Sequence, residues 1–237
     1  MRELFTPDFQ DIQPSRERIF LSQGIPRGKT PVEKVVELST RALHRYRELA
    51  EPRGVMETIA IRDFQGVYDG MGENEKETPL KSIFPRARYL ALMAFTLGEP
   101  ISREITRLFD NNDFALGSML DAVASEGADM ATKVAEERFS RYVTDIHELK
   151  SPLPVLLYSP GYCGWHISAQ KRLFEYLRPA EIDISLTPQF LMIPLKSVSG
   201  VLVAGETGIH IFNNDYPFCR ECSHHSCRIR INELKKR

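Results

Sequence analysis

Long hydrophobic runs are missing from these 237 residues. No apolar stretch approaches the roughly 20 residues that a membrane-spanning helix needs. Met1 to Gln13 mixes acidic and apolar residues, where a leader would run basic then apolar. A cytoplasmic location with no membrane partner is the expectation. An excess of one charge is missing too. With 31 basic and 32 acidic residues the formal charge is -1, so no global field draws in nucleic acid or an anionic surface. The basic terminus (Arg228, Arg230, Lys235, Lys236, Arg237) reads as a solvated end rather than a zinc-dependent nucleic-acid contact. Cysteine is scarce, at four residues, and without a leader a disulfide framework is disfavoured. Three of the four, Cys219, Cys222 and Cys227, fall within nine residues, whereas Cys163 stands far upstream. Cysteines so clustered read first as metal ligands or redox groups.

What is present supports a sizeable core, since 42% of residues are hydrophobic. Thr30-Pro31-Val32-Glu33 offers an N-cap, a first-turn proline and a capping glutamate, and the apolar spacing from Val32 to Leu49 predicts a helix to about Ala50. A strand is expected at Val55–Ile61, then an exposed connection over Gln65–Thr78. A buried strand follows in the run Arg88–Gly98, and a short helix through Ile101, Ile105, Leu108 and Phe109. The longest element is a helix from Asp113 to about His147, uninterrupted by proline. Its first half is rich in small residues: Ala115, Gly117, Ala122, Ala124, Ser125, Gly127, Ala128 and Ala131. Such a surface permits tight packing, or the approach of a flat ligand, and Asp121, Glu126 and Asp129 flank it. Val155–Leu157 reads as a strand, Ser168 as the cap of a helix carrying Leu173, Phe174 and Leu177, and Val198–Val203 and Gly208–Phe212 as strands. Helices and strands mix without regular alternation, so an α+β class is expected.

From Tyr158 the chain runs Y-S-P-G-Y-C-G-W, then after a helix L-T-P-Q-F-L-M-I-P-L-K-S-V-S-G. This order and spacing resemble the activation (reactivation) domain of cobalamin-dependent methionine synthase, with A-F-T-L-G and the small-residue helix upstream also similar, over roughly Val55 to Phe212. The resemblance implies a curved α+β domain with a mixed sheet and long helices. It also implies binding of S-adenosylmethionine and docking against a cobalamin-binding module, so that an oxidised cobalt(II) form is rescued by reduction and methylation. On this reading residues 1–54 are an N-terminal helical segment, 55–213 the activation-like core and 214–237 a cysteine-rich tail. No segment resembles a substrate or cobalamin module, so the chain is expected to act on a separate cobalamin-binding methyltransferase that supplies the cobalamin, with an electron donor as a further partner. The alternative is a metal-cluster electron-transfer or binding module for another corrinoid methyltransferase, without a methylation role.

The site residues implied are Ser159, Pro160 and Gly161, whose turn leaves backbone groups open to a ligand. Tyr162 offers an aromatic face to the sulfonium or adenosine part. Asp129 is placed at the ligand's amino group, with Glu126 the alternative in a shifted register, and His210 lies where the family has a ligand-lining tyrosine. One departure stands out. Where the family has an arginine to hold the ligand carboxylate, four residues before the glycine, this chain has Leu157; Lys196 is a candidate substitute.

The cysteine motif C-x2-C-x4-C lets three thiolates converge, and Cys163 beside the glycine-rich turn is the natural fourth ligand, with His224 or His225 an option for zinc. Four thiolates suit an iron-sulfur cluster or zinc, and spacing does not choose between them. An exposed docking surface is expected around Tyr162, Trp165 and His166, with Trp165 as a core anchor the competing reading.

Overall fold

The apolar run after Arg88 forms strand β3 (Tyr89–Thr96) in the computed structural model, which describes residues 1–212 and 216–220. Its side chains alternate between two cores. Leu90, Leu92 and Ala94 face one, and Ala91, Met93 and Phe95 face the other. A strand covered on both faces has no polar side to show, hence the unbroken apolar sequence.

Four strands complete the sheet around it: β1 (Arg2–Phe5), β2 (Arg53–Ile59), β4 (Val155–Tyr158) and β7 (Ser197–Ala204), in the order β1-β2-β3-β7-β4. Every pairing is antiparallel, where a mixed sheet was expected. A small hairpin, β5 (Ser185–Leu186) with β6 (Met192–Ile193), lies outside it.

One face carries α1 (Arg16–Ser22), α2 (Glu33–Leu49), α5 (Glu99–Asp110) and the 33-residue α6 (Phe114–Ile146). The other carries α3 (Ile61–Asp69), α4 (Pro79–Ile83) and α7 (Ala169–Leu177). The α+β class therefore holds, with helices on both faces. Ile12 and Ile19 of the N-terminal region are fully buried in the same core as α6, so this region packs into the sheet-and-helix body. Among the described residues no helix is long and apolar enough to cross a membrane.

Much of the small-residue face of α6 serves packing. Ala124, Ala128, Ala131 and Ala135 are buried, and a side chain at Gly127 would overlap the hydroxyl of Tyr46, which donates to the Ile12 carbonyl at 2.9 Å. Burial pushes the Tyr46 phenol well above its ordinary pKa, so it remains a neutral donor.

Several sequence expectations shift. Helix α2 begins at Glu33 with Val32 at its cap and no side-chain cap bond, so the Thr30 capping box does not form. The connection expected over Gln65–Thr78 is helical in its first part, because Phe64, Val67 and Tyr68 bury one face of α3. The strand expected at Gly208–Phe212 is a 3₁₀ turn at Thr207–His210. The reason is topological: β7 already has β3 and β4 on its two sides, so a hairpin strand leaving it finds no open edge.

Candidate ligand site

Strand β4 is an edge strand and leads directly into the P-G-Y turn. The turn is closed by its own backbone: Gly161 N donates to Trp165 O at 2.7 Å and Trp165 N to Tyr162 O at 3.0 Å. Closing it this tightly requires positive φ at Gly161 (+89°), Cys163 (+51°) and Gly164 (+76°). Tyr162 is left 52% exposed, Pro160 is buried and Ser159 half-buried.

The turn is rooted in the core that α3, α4 and α7 cover. Trp165 is buried between Phe64 and Tyr68, and its indole N–H donates to Tyr68 O at 3.0 Å. It is therefore the core anchor, and not part of an exposed aromatic surface. Asn74 adds a second tie, accepting from His166 N at 2.9 Å and donating to Tyr68 O at 2.7 Å. Tyr68 is itself held by a 2.7 Å bond to Thr78, and burial raises its pKa.

On the other side the site is bounded by α6, which is fastened to the sheet at two points. Glu136 Oε1 accepts from Leu157 N at 2.8 Å, covering the open edge of β4, and Ser125 Oγ accepts from Lys196 Nζ at 2.9 Å. The two points are about 16 Å apart along the helix at about 1.5 Å per residue. Asp129, exposed, lies between them, whereas Glu126 is engaged by Arg18 at 2.8 Å on the α1 side. The Leu157 side chain is buried in the α6-facing core. Lys196 is also buried and pairs with Asp121 at 2.7 Å.

Gly200, the glycine of S-V-S-G, has a specific duty. A Cβ there would overlap the Tyr158 carbonyl oxygen and lie 3.0 Å from Leu157 Cδ1, so β7 and β4 approach closely only because this position is bare.

His210 is fully buried, its ring stacked on Tyr158 and its Nδ1 3.0 Å from the Tyr158 hydroxyl. The structure places it behind the start of the turn. Ser159 to Tyr162 thus lie on the turn and Asp129 on the exposed side of α6, while Glu126 and His210 are engaged by partners in the packed body.

Phe218, in the segment 216–220, sits against the turn: a Cβ on Gly164 would lie 2.8 Å from its ring. Phe218 directly precedes Cys219, and Gly164 directly follows Cys163. Cys222 and Cys227, with His224 and His225, lie outside the described residues. Among the described residues no group of three or more potential metal ligands converges.

Residues 86–213, more than half the chain, match the family model described as vitamin B12 dependent methionine synthase, activation domain. The chain belongs to this family. The matched stretch contains β3, α6, the P-G-Y turn and β7 of this activation-domain chain. Over its whole length the activation-domain chain is similar in fold to a crystal structure of the MetH reactivation domain bound to AdoHcy. The TM-score is 0.60 at 15% identity, covering 100% of this chain and 88% of that one. No curated protein matches the sequence.

Two residues of this activation-domain surface escaped sequence reasoning. Glu136 carried only the signal of its spacing, seven residues past Asp129 and so on the same helical face. Asn74 carried none, because its role depends on a fold that brings it 92 residues forward to His166.

Proposed function

We propose that this chain binds S-adenosylmethionine at the P-G-Y turn and supports reductive methylation of cobalt(II) cobalamin held by a separate cobalamin-binding methyltransferase. The observation that carries this reading is an exposed Tyr162 on a rigid, glycine-shaped turn at the sheet edge, flanked by a helix that presents Asp129 to solvent. The likeness to a reactivation domain crystallised with AdoHcy supports it.

In this reading Gly161 admits the ligand close to the main chain, Tyr162 faces the adenosine or sulfonium part, and Asp129 accepts from the amino group. Glu126 and His210 act indirectly: Glu126 ties α1 to α6 and His210 holds Tyr158. A one-electron donor reduces cobalt(II) to cobalt(I). The cobalt(I) electron pair then takes the sulfonium methyl group, the carbon–sulfur bond breaks, and S-adenosylhomocysteine leaves. Methyl transfer removes the small cobalt(I) population irreversibly and so draws an unfavourable reduction forward.

Calorimetry with S-adenosylmethionine tests the site. Wild type should bind, and Asp129→Asn should bind about tenfold more weakly, as expected for a lost charge-assisted hydrogen bond. Equal affinities would remove Asp129 from the site.

A metal in the tail is a second element of the reading. We infer that Cys163, Cys219, Cys222 and Cys227 share one zinc ion or iron-sulfur cluster; the contact of Phe218 with Gly164, next to Cys219 and Cys163 in the chain, supports this, as does the C-x2-C-x4-C spacing. A cluster there would serve electron transfer towards cobalt; zinc would staple residues 214–237 to the core. Metal analysis and the visible spectrum of anaerobically purified protein separate the two. Cys163→Ser and Cys222→Ser should both lose the metal, and full retention in Cys163→Ser alone would remove the long-range ligand.

A further inference from the structure

The position expected to hold the ligand's carboxylate offers nothing for the purpose. Leu157 is apolar, its side chain is in the core and its backbone N–H is given to Glu136. A zwitterionic amino-acid head still needs a cation.

Lys196 has the properties required. It directly precedes β7, is only 9% exposed, and its ammonium donates to Asp121 Oδ1 at 2.7 Å and Ser125 Oγ at 2.9 Å. An ammonium has three N–H donors, and among the described residues the third has no partner. The pair is also asymmetric. The lysine side chain is 10% exposed and that of Asp121 42%, so the cation sits inside with its counter-ion at the surface.

Asp121, Ser125 and Asp129 follow one another at four-residue intervals and share a face of α6. Ser125 and Asp129 are therefore separated by about 6 Å of helix rise. Lys196, held at Ser125, and Asp129, one turn further on, therefore set a cation and a carboxylate along the same helical face.

We propose that Lys196 fixes the carboxylate of the ligand's amino-acid part, with Ser125 as a second donor, while Asp129 takes the ammonium and Asp121 holds Lys196 in place. The proposal rests on the S-adenosylmethionine reading above and gives that site its selectivity: it recognises an intact α-amino acid head. Lys196, directly before β7, is then a specificity-determining residue.

Calorimetry of the full chain with S-adenosylmethionine and with decarboxylated S-adenosylmethionine, which keeps the ammonium and sulfonium, is the test. Wild type should prefer the carboxylated compound by about tenfold or more. Lys196→Met should lose that preference by binding S-adenosylmethionine more weakly while holding the decarboxylated compound unchanged, and Lys196→Arg should restore part of it. A merely structural ion pair would weaken both compounds alike, which overturns the proposal, as does a wild type that binds both equally. If Lys196→Met does not fold, Lys196→Arg and Asp121→Asn carry the comparison, and an unchanged preference in both overturns it. Binding of neither compound to wild type overturns the S-adenosylmethionine reading itself.

Discussion

Valine in place of Gly200 is expected to unseat strand β4 and abolish ligand binding. The added side chain would meet the Tyr158 carbonyl oxygen and Leu157 Cδ1, and the first of these is backbone that cannot rotate away. Relief requires β4 to move off β7, which breaks the pairing from Val155 to Tyr158 and carries the P-G-Y turn with it. Overpacking of this kind costs about 3 kcal/mol. In a domain of this size that lowers the melting temperature by on the order of 10 °C. Thermal unfolding and calorimetry with S-adenosylmethionine read the two effects, and a Gly200→Val protein with wild-type stability would show that the close approach is not needed.

Trp165→Ala should be comparably damaging. The indole fills the space between Phe64 and Tyr68 and is the inner anchor of the turn. Truncating a buried aromatic side chain to alanine costs about 3–5 kcal/mol, and here the Tyr68 carbonyl also loses one of its two donors. Denaturant unfolding should show the loss in its midpoint, with ligand affinity falling because the turn loses its root. Trp165→Phe, which keeps most of the packing, should lie between wild type and alanine. If Trp165→Ala unfolds normally but no longer interacts with a corrinoid protein, the residue belongs to a docking surface after all.

Elements with a long, consistent period were legible in the sequence. The run from Arg88 yields β3, and α6 matches its expected span to within a residue or two, capped by Asp113. Where the pattern was short it was outvoted. Phe64, Val67 and Tyr68 mark the buried face of α3, but the polar residues after Gln65 hid a helix of only nine residues. The 3₁₀ turn at Thr207–His210 could not be read from its apolar residues, because it depends on β7 being flanked on both sides.

The candidate site divides the same way. The P-G-Y turn was visible because its glycines and proline announce the backbone they need. The engagement of Glu126 by Arg18, of Lys196 by Ser125 and of Leu157 by Glu136 spans 108, 71 and 21 residues, and only the fold reveals it. The burial of His210 under Tyr158 likewise follows from tertiary packing that no local spacing encodes.

The most direct test of the central claim is the corrinoid spectrum. A cobalt(II)-loaded cobalamin methyltransferase, mixed with this protein, a one-electron reductant and S-adenosylmethionine, should convert to methylcobalamin, and should do so only when the chain is present. A change in cobalt coordination without methylation would favour an electron-transfer or binding module. A corrinoid spectrum that is the same with and without this protein would contradict the account.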